Sequence, residues 1–157
     1  MPQLNRSLLV LSALVILLAC SGMSLAHEHK QAKGKVTVES AWARATFALA
    51  KTGAVYLIVN NQSENNLTLL SVNVDSTVAS EAQFHETLME EGMMQMREVT
   101  DGFAIPSGST LEFSPGGKHI MLMGLEKPLK TGEQFLLLLT FENNKVMRVP
   151  IEVKDAR

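Results

Sequence analysis

Two histidines and two methionines, set in two short clusters, are the residues of this 157-residue chain best suited to chemistry. His85 is followed after ten intervening residues by Met96, and Lys118-His119-Ile120-Met121 supplies a second His and a second Met. Thioether sulfur is soft, uncharged and never needs deprotonating, so it favours Cu(I) over Zn, Mg or Ca. The only cysteine, Cys20, lies far upstream of both clusters. Two imidazoles and two thioethers without a thiol therefore point to monovalent copper.

Such a set works only if the backbone brings the donors together. On a β-strand, residues two apart share a face, so His119 and Met121 project together and Met123 continues the line. Met94 and Met96 likewise share a face, with Met93 on the other. A hairpin across Glu90-Glu91-Gly92 would draw Met96 towards His85, although the register is not written in the sequence. Methionine is also an adaptable core filler. Met89, Met93, Met123 and Met147, taken singly, read as packing residues. On spacing alone, a metal site and ordinary packing both remain open.

Short apolar runs split by turn residues carry these donors. They cover Val36 to Ala43, Gly53 to Val59, Leu67 to Val74, Phe84 to Leu88 and Met93 to Val99. Phe103 to Ile105, Thr110 to Phe113, His119 to Leu125, Gln134 to Glu142 and Lys145 to Val153 complete the series. Turns such as Pro106-Ser107-Gly108 and Ser114-Pro115-Gly116-Gly117 separate them, and no long helical period intervenes. The pattern predicts an all-β domain, an antiparallel β-sandwich in preference to a barrel.

The chain opens on a processing signal. Arg6 precedes an apolar run from Leu8 to Ala19 that is short for a membrane span and ends in small residues. Cleavage after Ser24-Leu25-Ala26 would remove residues 1–26 as a signal peptide and release a periplasmic protein. Leu17-Leu18-Ala19-Cys20 also resembles a lipobox, which would anchor the protein through Cys20. Residues 27–35 are polar and read as a flexible lead-in, leaving 36–154 as the copper-binding domain. Loss of residues 1–26 would remove Cys20 and with it any thiol that an oxidising compartment could attack. It also shifts the net charge from −2 to −3, since Arg6 is the one charged residue lost. Nothing basic is dense enough to neutralise a phosphate backbone, which excludes nucleic acid as a partner.

Two segments resemble the signature of PCu(A)C-type periplasmic copper chaperones. One is His85-Glu86-Thr87-Leu88-Met89-Glu90-Glu91-Gly92-Met93-Met94-Gln95-Met96-Arg97. The other is Ser114-Pro115-Gly116-Gly117-Lys118-His119-Ile120-Met121-Leu122-Met123-Gly124-Leu125. Ala41-Trp42-Ala43-Arg44-Ala45 and the strand holding Tyr56 are similar to family positions too, so the resemblance spans about Val36 to Val153. It implies a cupredoxin-like Greek-key fold and Cu(I) ligation by His85, Met96, His119 and Met121. It further implies delivery of copper towards the dinuclear centre of cytochrome c oxidase, through an oxidase subunit or a thiol-bearing assembly protein. The chain departs from many relatives at Thr87, where they carry a Met, and in the proline-free loop Ala45 to Thr52.

Other readings are weaker. A periplasmic copper buffer or resistance protein would use the same ligands. His27 and His29 could hold Cu(II) on the lead-in, and an oxygenase would need His27 as a copper brace. Blue-copper electron transfer needs a Cys ligand that the domain lacks. No enzyme is expected, and the protein is expected to be a monomer. Glu81, Glu86, Glu90 and Glu91 read as a solvated acidic rim, and Trp42 and Arg44 as structural residues.

Overall fold

The computed structural model describes residues 35–155. The expected signal peptide over residues 1–26, Cys20 and the pair His27 and His29 lie outside the described residues. Ten strands follow: β1 (Val36–Arg44), β2 (Thr52–Asn61), β3 (Leu67–Val74), β4 (Ala79–Glu90) and β5 (Met93–Glu98) form the first half. The second half is β6 (Phe103–Ile105), β7 (Thr110–Phe113), β8 (His119–Leu125), β9 (Gln134–Phe141) and β10 (Val146–Lys154). They hydrogen-bond in the order β5-β4-β8-β2-β1-β10-β9-β3-β6, with β7 on β2. Every pairing is antiparallel except β1 with β10. The sheet curls on itself into a sandwich, with the core enclosed between its two halves.

Strand alternation fills that core. In β9, Leu137, Leu139 and Phe141 are fully buried, and in β10 Val149, Ile151 and Val153 match them. Phe84 of β4, Phe103 of β6 and Phe113 of β7 form one cluster with ring centroids 5.5–5.7 Å apart. Edge-to-face and offset contacts at that range add to the gain from burying the rings. The trio joins strands from opposite ends of the sheet order, so it helps to clamp the two halves together.

Asn61 ends β2 with no exposed surface. Its Nδ2 donates to the carbonyl oxygens of Ile105 at 2.8 Å and Asn65 at 2.9 Å, and its Oδ1 accepts from the Ser63 amide at 3.1 Å. One side chain thus ties together the β2–β3 turn and the end of β6. Asn61→Ala strands these partners, and each buried unpaired group costs about 1–3 kcal/mol. The variant is expected to lose about 2–4 kcal/mol of stability in urea unfolding; a loss below about 1 kcal/mol would contradict this role.

A bulge in β1 prepares the outer face. The register passes from Glu39 opposite Ile58 to Trp42 opposite Tyr56, so β1 carries one extra residue there. Ser40 absorbs it at φ 52°, the backbone kink a bulge requires. Before the bulge Val36 is buried; after it Ala43 faces the core with no exposure. Trp42 is thereby turned outward onto Tyr56, with ring centroids 4.8 Å apart.

Candidate metal centre

The outer face of β5, β4 and β8 gathers the sulfur and imidazole donors. Even-numbered Ile120 and Leu122 of β8 are buried in the core, which turns His119, Met121 and Met123 outward. Phe84 does the same for β4 and turns Gln83, His85 and Thr87 outward. Register then sets the neighbours. His85 sits opposite His119 on one side and Glu98 on the other, Gln83 sits opposite Met121, and Thr87 sits opposite Met96. The two imidazole rings have centroids 5.7 Å apart.

A cavity of about 510 Å³ opens beside this row. Met96, His119 and Met121 line it, with Met94, Thr87 and Tyr56. His85 is not on its wall; it stands next to it, across from His119. Ala54 of β2, opposite Met121, forms part of the floor. Three of the four expected donors therefore share one hollow and the fourth adjoins it. Met96 is 54% exposed on the edge strand, whereas His119 is only 6% exposed.

The ring nitrogens are already sorted. His119 Nδ1 donates to the Gly117 carbonyl oxygen at 3.1 Å, which leaves the Nε2 lone pair free. His85 Nε2 donates to Gln83 Oε1 at 3.1 Å, and its buried Nδ1 has no protein partner. An imidazole that spends one N–H on a carbonyl or amide oxygen and presents the other lone pair is arranged as metal ligands usually are. Burial pushes the His85 imidazolium below its ordinary pKa, the neighbouring His119 adds to this, and the Glu98 carboxylate opposes it. The neutral ring, the form that binds metal, is thus favoured.

The chemistry this can support is narrow. Among the described residues no group of three or more His, Cys, Asp or Glu could hold a metal. An ion bound here would need sulfur, and thioether sulfur selects a soft cation. Neither thioether carries a charge.

Several sequence readings need correction. Met89 and Met93 are not core filler: they are 68% and 60% exposed on the β4–β5 hairpin. Met147 does pack against the core. Of the acidic rim, Glu86 pairs with Arg97 at 3.1 Å, on the strand face opposite His85. Glu98 and Gln83 escaped the sequence reading although both touch on His85. Register reveals Glu98, whereas Gln83, two residues before His85 on the same strand, follows from period two.

The model of the LpqE-like family matches residues 36–153. Lxx21020 of Leifsonia xyli subsp. xyli is 40% identical over 126 residues, which cover 80% of this chain and 73% of that protein. Among solved structures, CuI-DR1885 from Deinococcus radiodurans is 29% identical with a TM-score of 0.65, covering 83% of this chain and 86% of that one. The copper-bound PCuAC domain from PmoF2 is 23% identical with a TM-score of 0.62, covering 80% and 97% respectively. That likeness establishes the cupredoxin-like β fold.

Proposed function

This chain belongs to the LpqE-like family, of PCuAC type, and from that premise we propose that it is a Cu(I)-binding metallochaperone. The observation that carries the proposal is that Met96, His119 and Met121 line one hollow, with His85 beside it and opposite His119. We assign the four side chains as the Cu(I) ligands. The copper held by CuI-DR1885, at 29% identity, supports the same cargo here. The protein is a carrier and not an enzyme.

The site suits a carrier because its grip is uneven. Neutral ligands leave the +1 charge of the ion uncompensated, so an acceptor thiolate gains electrostatically over any of them. Met96, exposed on the edge strand, is the donor an acceptor can displace first. His119, buried and fixed by Gly117, is the last to release. Copper then leaves ligand by ligand from the β5 side.

In this reading the protein is exported to the periplasm, consistent with the lipoprotein description of its family, and acts as a monomer. Residues 1–26 are its signal peptide and 36–154 its copper domain; anchoring through Cys20 is the alternative to free release. The acceptor is a cytochrome oxidase subunit or a thiol-bearing assembly protein supplying the dinuclear copper centre. A deletion strain tests this arm. Loss of oxidase activity that added copper restores is the expected result. Copper sensitivity with normal oxidase activity would instead identify a copper buffer without a dedicated acceptor. Cu(II) binding at His27 and His29 would be a secondary site on the lead-in.

A further inference from the structure

The β4–β5 hairpin carries more thioether than four-donor ligation uses. Glu91 and Gly92 turn it with φ of 50° and 80°, the two left-handed residues of a type I′ connection. Glu90 and Met93 are the first pair, followed by Met89 opposite Met94. In a two-residue hairpin the first pair exchanges both backbone hydrogen bonds. The next pair is therefore non-hydrogen-bonded, with Cα atoms about 4.5 Å apart and side chains close together. Met96 lies two residues beyond Met94 on the same face. Three thioethers thus share one side of the hairpin, 68%, 64% and 54% exposed at Met89, Met94 and Met96.

Packing does not account for them. An exposed edge strand is ordinarily protected by charge, especially lysine, yet this face of the edge pair carries sulfur. Met94 and Met96 also line the hollow that holds His119 and Met121, so the sulfur row runs unbroken from the hairpin tip to the imidazoles. We propose that Met89, Met94 and Met96 form a second Cu(I) position, which shares Met96 with the four-donor site and passes copper to and from it. The inference rests on the copper reading above. On that passage Met96 stays bound while the imidazoles of His85 and His119 and the Met121 thioether give way to the thioethers of Met89 and Met94, and copper stays monovalent throughout. With no imidazole and full solvent access, this position binds more weakly and serves as a port.

Methionine methyl NMR during titration with Ag(I), a soft monovalent ion without redox chemistry, tests it. The first equivalent is expected to shift the Met121 methyl together with the His85 and His119 rings, and the second to shift Met89 and Met94. Leucine at Met89 and Met94 conserves volume. The double variant is expected to lose the second equivalent and keep first-site affinity within about 2-fold, while Cu(I) transfer to a chelator slows by about 10-fold, since exchange pathways act on rates. Saturation at one equivalent with unmoved Met89 and Met94 methyls overturns the port but leaves the four-donor site standing. Shifts at Met89 and Met94 with none at Met121 or the histidines overturn both. An unaltered transfer rate in the double variant also overturns the port.

Discussion

Leucine at both Met96 and Met121 is expected to abolish tight Cu(I) binding while the apo protein stays folded. Met96 is 54% exposed on the edge strand and Met121 lies half-buried above Ala54, so neither anchors the core. Leucine keeps their apolar volume at a cost below about 1.5 kcal/mol. It offers no lone pair, however, and the two imidazoles alone cannot complete a soft site. Removing partners that merely orient ligands costs about 10–100-fold in metal affinity. Removing two ligands should therefore exceed about 100-fold. Competition against a Cu(I) chelator gives the affinity, and thermal unfolding without metal checks the fold. Unchanged affinity would remove both methionines from the site.

Phe84→Ala is expected to cause a large loss of stability. Phe84 is 4% exposed between the rings of Phe103 and Phe113, and it precedes His85 on the same strand. Truncating a buried Phe costs about 3–5 kcal/mol through lost transfer energy and the cavity left behind. For a domain of this size that lowers Tm by roughly 10–20 °C. The site should suffer with it, because the inward Phe84 is what turns His85 outward. Urea and thermal unfolding of the apo protein measure the effect; a loss under about 1 kcal/mol would show that the aromatic trio does not clamp the sandwich.

Much of this architecture is legible in the chain. The runs Leu67–Val74, Phe103–Ile105, Thr110–Phe113 and His119–Leu125 coincide with strands to the residue, because turn residues bracket them closely. The start of β4 is not legible. Ala79 to Gln83 has little intrinsic strand preference and is held extended by pairing with β8. The bulge at Ser40 is equally silent, since its left-handed backbone is imposed by tertiary packing on a residue that does not demand it. The parallel contact of β1 with β10 joins the two ends of the domain, which no local pattern encodes.

The site divides in the same way. Residue type and period two put His119 and Met121 on one face, and they do share it with His85 and Met96. Register decides the rest. It places His85 between His119 and Glu98, and it leaves Met89 in water where composition suggested packing. Hairpin register depends on a type I′ turn at Glu91-Gly92, and glutamate is not a residue that announces positive φ. The proximity of Gln83 to the ring it holds follows instead from period two within β4, a signal the sequence does carry.

X-ray absorption at the copper edge, on protein loaded with one equivalent of Cu(I), reads the donors directly. Two sulfur and two nitrogen neighbours around a monovalent ion are the predicted result. A shell of nitrogen and oxygen alone, or one unaltered when both Met96 and Met121 are replaced by leucine, would contradict it.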